Sequence, residues 1–292
     1  MSNILLRIRK KILRKIDQHP FTRDYATRIH EQALAEHIKN LPVLPARHQS
    51  FFEKIQQEGA VITSLQELAM ESSYDMFKVA QKLVSKLRRK SVDDQNEIVI
   101  HATPKQMLEN PQIFLWGVEK NILNIVENYI GLPVAYQGAH FRRDIGNQLE
   151  KGSRLWHIDQ EDRKIFKIIV YLNDVDENGG LFQYIPKPLT MRLVQIMGYS
   201  SGYINDETMQ KFISPSNYRS CPGKAGTVIL AATDSILHRG KPPINADRFT
   251  AFFDYTSRRH KQALHGTSTL PYDDLLFLTQ HLSEQQRECI FW

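Results

Sequence analysis

Cysteine is scarce in this 292-residue chain: Cys221 and Cys289 are the only two, and they lie far apart. Two such residues build neither a disulfide framework nor a zinc-type cluster, which fits a reducing compartment and makes a cytoplasmic protein the expectation. Long apolar runs are lacking as well. No 18 apolar residues follow one another, so no membrane span is expected. Internal repeats and low-complexity linkers are missing, which excludes a repeat array. The body of the chain also lacks an excess of one charge. Residues 1–30 hold eight Lys/Arg against two acids and so carry the whole net charge of +6, leaving the remainder neutral. A nucleic-acid groove, which needs a basic stripe on the folded body, is therefore not expected.

What is present begins with a basic amphipathic stretch, "NILLRIRKKILRKI", with Leu5, Ile8, Ile12 and Ile16 on one helical face. Docking of that stripe on its own domain or a partner chain is the leading reading, and peripheral membrane contact is the other. Its interrupting charges do not read as a secretory signal. Residues 1–110 read as mainly helical, with breaks at "PVLP" and Gly59 and a short strand at "AVITS". "NPQIFLWGVEKNILNIVENYIGLPV" reads as one helix from Pro111 to Gly131. From Val134 the pattern changes to short segments rich in Val, Ile, Phe and Tyr between turn residues: "PVAYQGAHF", "KIFKIIVYL", "GLFQYIP", "GTVILAA" and "RFTAFFDY". That texture predicts a β-sandwich or jelly roll with a helical jacket, the core over 111–256 and a loop-and-helix tail over 257–292. The three regions are expected to form a single domain.

The chemistry concentrates in "LWHIDQEDRKIFKIIVYLNDVDENGG" (155–180). In extended backbone, residues two apart point to one side, so His157 and Asp159 share a face while Ile158 turns away. His238, after the apolar segment "GTVILAA", sits at another strand terminus. Two histidines and a carboxylate on one face of an octahedron form the facial triad of non-haem iron(II) oxygenases, leaving three positions open. Arg248 opens the strand "RFTAFFDY", with Thr250 and Phe252 on its face. A buried guanidinium there requires an anionic partner. The competing reading of Arg248 is a salt bridge to Asp234 or Asp247. Gln137, His140 and Arg142 lie on a predicted strand just upstream and are candidates for substrate contact, with edge-strand polar residues the competing reading.

WHxD at 156–159, "YLNDVDENGGLFQYIP", His238 and Arg248 together resemble the phytanoyl-CoA dioxygenase-like family over roughly residues 115–256. The family is a branch of the Fe(II)/2-oxoglutarate-dependent oxygenases. The resemblance implies a double-stranded β-helix of the cupin-like jelly-roll type with N-terminal helices. It also implies Fe(II) bound by His157, Asp159 and His238. The co-substrate 2-oxoglutarate would be anchored by Arg248 with Thr250, and O2 consumed. Where the family continues from the Gly-Gly turn into Pro-Gly-Ser-His, this chain reads "IPKPLT", which implies an altered loop beside the pocket. Related halogenases replace the carboxylate by glycine or alanine, so Asp159 favours oxygen transfer.

The reaction expected from the resemblance is hydroxylation or oxidative N-dealkylation of a small molecule. Two Arg/His-rich stretches, around Arg142 and around Arg258–His260, are expected near the pocket mouth and suit a carboxylated substrate. A tailoring step on a secondary metabolite such as a mycosporine-like amino acid belongs to that class. His101, His260, His265 and His281 fit no ligand spacing and are expected at the surface. A homodimer is compatible with these features. The competing readings are a metal-dependent cupin enzyme that does not use 2-oxoglutarate and a jelly-roll binding module without activity.

Overall fold

The computed structural model describes residues 20–87, 96–244, 246–259 and 270–292. The basic stretch at 3–16, His260 and His265 lie outside the described residues. The chain divides into two compact units, 1–42 and 43–292. In the first, helix α1 (Pro20–His37) runs into a 3-10 turn at Ile38–Asn40.

The second unit begins with α2 (Ala46–Glu58), which stops where Gly59 adopts a left-handed φ of 88°. β1 (Ala60–Ser64) follows, and the Ser64 side chain caps α3 (Leu65–Leu68) by accepting from Glu67 N. Next come α4 (Ser72–Val84), β2 (Val99–His101), α5 (Pro104–Leu108), α6 (Pro111–Trp116) and α7 (Lys120–Ile130). The single helix expected over 111–131 is thus two. At the break, Gly117 lies so close to Tyr136 that a Cβ would collide with its phenol ring, and the Gly117 carbonyl accepts from Tyr255 Oη at 2.7 Å.

The strands β3 (Val134–Asp144), β4 (Phe166–Tyr171), β5 (Phe182–Tyr184), β6 (Arg219–Cys221), β7 (Thr227–Ala232), β8 (His238–Gly240) and β9 (Arg248–Ser257) form two sheets. The larger has the order β1-β7-β4-β9-β3-β2 and the smaller β6-β5-β8, and every pairing is antiparallel. The backbone at Trp156 and His157 adds isolated bridges to Ile204 and His238. This is a double-stranded β-helix. β1 is the short strand expected at "AVITS", whereas β2, too short to show a period, lies in the region expected to be mainly helical. After β5 the chain does not form the expected altered loop. Pro186 and Pro188 open α8 (Lys187–Met197), which Gly198 ends. The short α9 (Asp206–Gln210) follows, and α10 (Tyr272–Leu278) and α11 (Glu284–Ile290) close the chain.

Alternation along the strands decides what faces what. On β9, Phe253 and Tyr255 pack outward against Trp116 and Tyr136, while on β4 Phe166 packs against Tyr129 of α7. The opposite phase, Ile169 and Tyr171 on β4 and Phe252 on β9, points between the sheets. There Tyr171 Oη donates to Cys221 O and accepts from Phe182 N, both at 2.9 Å, and so ties the larger sheet to two strands of the smaller. Tyr171→Phe leaves both backbone groups buried without that partner, and a loss of about 1–3 kcal/mol is expected. A lower urea midpoint with unchanged far-UV circular dichroism is the result to look for.

Candidate metal centre and its cavity

His157 and His238 meet through the backbone. Each N–H donates to the other's carbonyl, at 3.0 and 2.9 Å, which sets the two rings 4.3 Å apart between centroids. Both Nδ1 atoms are held the same way. His157 Nδ1 lies 2.8 Å from Leu155 O, and His238 Nδ1 lies 3.1 Å from Ile236 O. A carbonyl only accepts, so each Nδ1 carries the proton and each Nε2 keeps its lone pair. Asp159 is placed by its own N–H, which donates to Thr233 O at 3.1 Å. Its Oδ1 lies 3.6 Å from His157 Nε2 and its Oδ2 3.7 Å from His238 Nε2. One ligand atom from each of the three residues falls within 4.8 Å of the others. Ile158 faces the other way, against the apolar cluster that includes Trp156, Ile185 and Leu237.

The electrostatics suit a cation. Burial, reinforced by the neighbouring His157, pushes His238 down to about 3, and burial also lowers His157, so both rings are neutral at ordinary pH. Burial alone would raise the Asp159 carboxyl, but Lys167 and the two imidazoles outweigh it and hold it below the usual carboxylate range. Two neutral imidazoles and an ionised carboxylate with lone pairs converging are a donor set that fits Fe(II) or a similar divalent metal.

The triad opens on a cavity of about 530 Å³ between the sheets. Arg248, His140 and Arg142 line it. Gln137 does not. Its amide donates to Thr256 Oγ1 at 2.6 Å on the next strand. Arg142 lies over the Phe252 ring at 4.1 Å, and His140 Nε2 is 3.4 Å from Asp254. The anion on Arg248 is neither Asp234 nor Asp247, but Asp144. Asp144 Oδ2 accepts from Arg248 Nε and Nη2 at 3.2 and 3.0 Å and from Arg142 Nε at 3.1 Å. Arg248 Nη1 donates to Gly180 O. Asp247 instead binds Arg143. Thr250 Oγ1 is wholly buried and has no hydrogen-bond partner among the described residues. Thr250 stands two residues on from Arg248 in the same strand phase and keeps an unused donor, but unlike Arg248 it is not among the residues that line the cavity.

One more expectation is corrected. Arg258 is not at the pocket; it binds Val134 O at 3.1 Å and Glu288 at 2.8 Å. His101 and His281 are exposed as expected, and His101 also borders the cavity. Sequence reasoning missed Lys167, Asp144 and Tyr203. Lys167 Nζ is 2.6 Å from Asp159 Oδ2, and the Tyr203 ring lies 5.1 Å from that of His157.

No family model and no curated protein matches the chain. Among solved structures, EctD from S. alaskensis with bound Fe is 14% identical at a TM-score of 0.51, over 78% of this chain and 80% of that one. The two share a fold. The epimerase SnoN in complex with Fe3+, alpha ketoglutarate and nogalamycin RO is 14% identical at a TM-score of 0.49, over 79% and 98% of the two chains. HygX from Streptomyces hygroscopicus with nickel and 2-oxoglutarate bound is 12% identical at 0.48, over 74% and 89%.

Asp144 balances two guanidiniums at once. Asp144→Ala leaves both arginines without it and is expected to cost about 3–5 kcal/mol. Guanidinium chloride unfolding would measure this, with Arg143→Ala, a pair nearer the surface, as the milder comparison.

Proposed function

We propose that this chain is an Fe(II)/2-oxoglutarate-dependent oxygenase of the phytanoyl-CoA dioxygenase-like type, acting on a small carboxylated metabolite. The observation that carries the reading is the convergence of His157 Nε2, His238 Nε2 and an Asp159 oxygen on one cavity that Arg248 also lines. His157, Asp159 and His238 would hold the metal. Arg248 and Thr250 would receive the distal carboxylate of 2-oxoglutarate, the guanidinium as fork and the buried hydroxyl as an added donor. Asp144 occupies the Nε edge of Arg248, so the ligand would meet the remaining Nη donors.

When bound, the iron supplies activation of O2 and a one-electron oxidant for a C–H bond. The net reaction is R–H + 2-oxoglutarate + O2 → R–OH + succinate + CO2. At a carbon next to nitrogen the alcohol is a carbinolamine, which collapses to an amine and a carbonyl. The protein's part is to bind, orient and exclude water. The apolar walls formed by Ile169, Phe182 and Phe252 limit solvent at the triad. Arg142, held over Phe252, offers a cation to a substrate carboxylate. Secondary-metabolite tailoring, including mycosporine-like amino acids, fits a substrate of this size and charge.

A second reading is favoured by the Asp144 pairing. If Arg248 serves only to balance Asp144, the protein is a metal-dependent cupin enzyme that needs no 2-oxoglutarate. Anaerobic titration separates the two. The oxygenase reading expects 2-oxoglutarate to add a visible charge-transfer band to the Fe(II) protein, lost in His157→Ala and His238→Ala. It also expects at least a tenfold rise in the 2-oxoglutarate Kd in Arg248→Met. A spectrum unmoved by 2-oxoglutarate would favour the cupin enzyme.

A further inference from the structure

Lys167 stands on β4 in the inward phase, with Ile169 and Tyr171, where an apolar residue would ordinarily face the core. Its side chain is only 20% exposed, and its ammonium lies 2.6 Å from Asp159 Oδ2. Across the β4–β9 ladder its direct partner is Asp254, which in turn lies 3.4 Å from His140. A lysine buried to this degree must be paired, and this one is paired with a residue of the triad.

We infer that Lys167 is the residue that positions Asp159, taking one carboxylate oxygen as an ion pair so that the other is left to ligate the metal. The inference rests on the metal-centre reading above. With one oxygen engaged, Asp159 contributes a single ligand atom, and the metal keeps the open positions that a chelating co-substrate and O2 require. Without the ammonium, the carboxylate can rotate or close on the metal with both oxygens. A positive charge near a metal site also repels the metal, and that effect would act in the opposite sense on affinity. Asp254, the partner of Lys167 across the ladder, and Glu161 on the cavity wall offset that repulsion. The hold on Asp159, by contrast, is direct. Positioning should therefore win.

The test is titration of the metal-free full-length protein with Co(II), followed by its visible d–d absorption, which reports coordination number as well as affinity. Lys167→Met is expected to raise the Co(II) Kd about 10–100-fold, the usual effect of removing a group that orients a metal ligand. It should also change the band envelope toward higher coordination, and Lys167→Arg should recover most of both. Lys167→Gln is the substitute should the methionine variant not fold. A variant that binds Co(II) as tightly as wild type or more tightly, with an unaltered spectrum, overturns the inference and makes Lys167 a space-filling charge. His157→Ala is the control. If wild type and this control bind Co(II) alike, the metal-centre reading itself fails, and the role of Lys167 with it.

Discussion

The site depends first on two backbone hydrogen bonds, those that join residues 157 and 238 in both directions. They bring together segments far apart in the chain and fix them in antiparallel register, so the two imidazoles stand side by side on one face. Each ring is then oriented by the carbonyl two residues before it, Leu155 or Ile236. The same local device is used twice. It leaves both Nε2 atoms forward without a dedicated second residue to hold either ring, and it needs no more than extended backbone at each histidine.

Once the imidazoles are fixed and neutral, the remaining difficulty is charge. Asp144, Asp159 and Asp254 are carboxylates buried at or beside one cavity, and isolated ions there would be costly. The sheet solves this by register. Neighbouring strands β3, β4 and β9 carry acids and bases on the inward phase: Arg142, Lys167 and Arg248 against Asp144 and Asp254. Asp159 at the triad takes the lysine. Pairing across strands fixes the side chains as well as balancing them, which is why the cavity wall can be both polar and rigid.

This arrangement also explains what could be read from the chain and what could not. His157 and Asp159, two apart beside apolar residues, announce a shared face because extended backbone has a period of two, and Ile158 confirms the phase by packing on the apolar cluster around Trp156. His238 and Arg248 stand out as polar residues at strand ends. Lys167 carried a signal that was passed over. In "KIFKIIVYL" it sits in phase with Ile169 and Tyr171, so its charge must point inward. Asp144 had no such mark, since its pairing with Arg248 depends on the β3–β9 register across 104 residues. α8 is legible in Pro188 near its start and Gly198 at its end. The break at Gly117 was not legible, because it depends on the distant ring of Tyr136.

The division of labour between the sheets has a consequence for how the site responds to change. The imidazoles belong to the smaller sheet and its bridge, whereas Lys167, Arg142 and Arg248 stand on the larger one. Asp159 joins the two: its N–H is fixed to Thr233 at the end of β7, and its carboxylate reaches between His238 and Lys167. Ligand geometry is therefore a property of the spacing between sheets. Close-packed interiors do not adjust spacing smoothly, so substitutions among Val175, Leu181 and Ile229 would act on the triad through the core between the sheets. The aromatic packing between β9 and the helices outside it lies on the far face of the larger sheet and has no such lever. Sensitivity of the site to core mutations should follow the inner layer and spare the outer one.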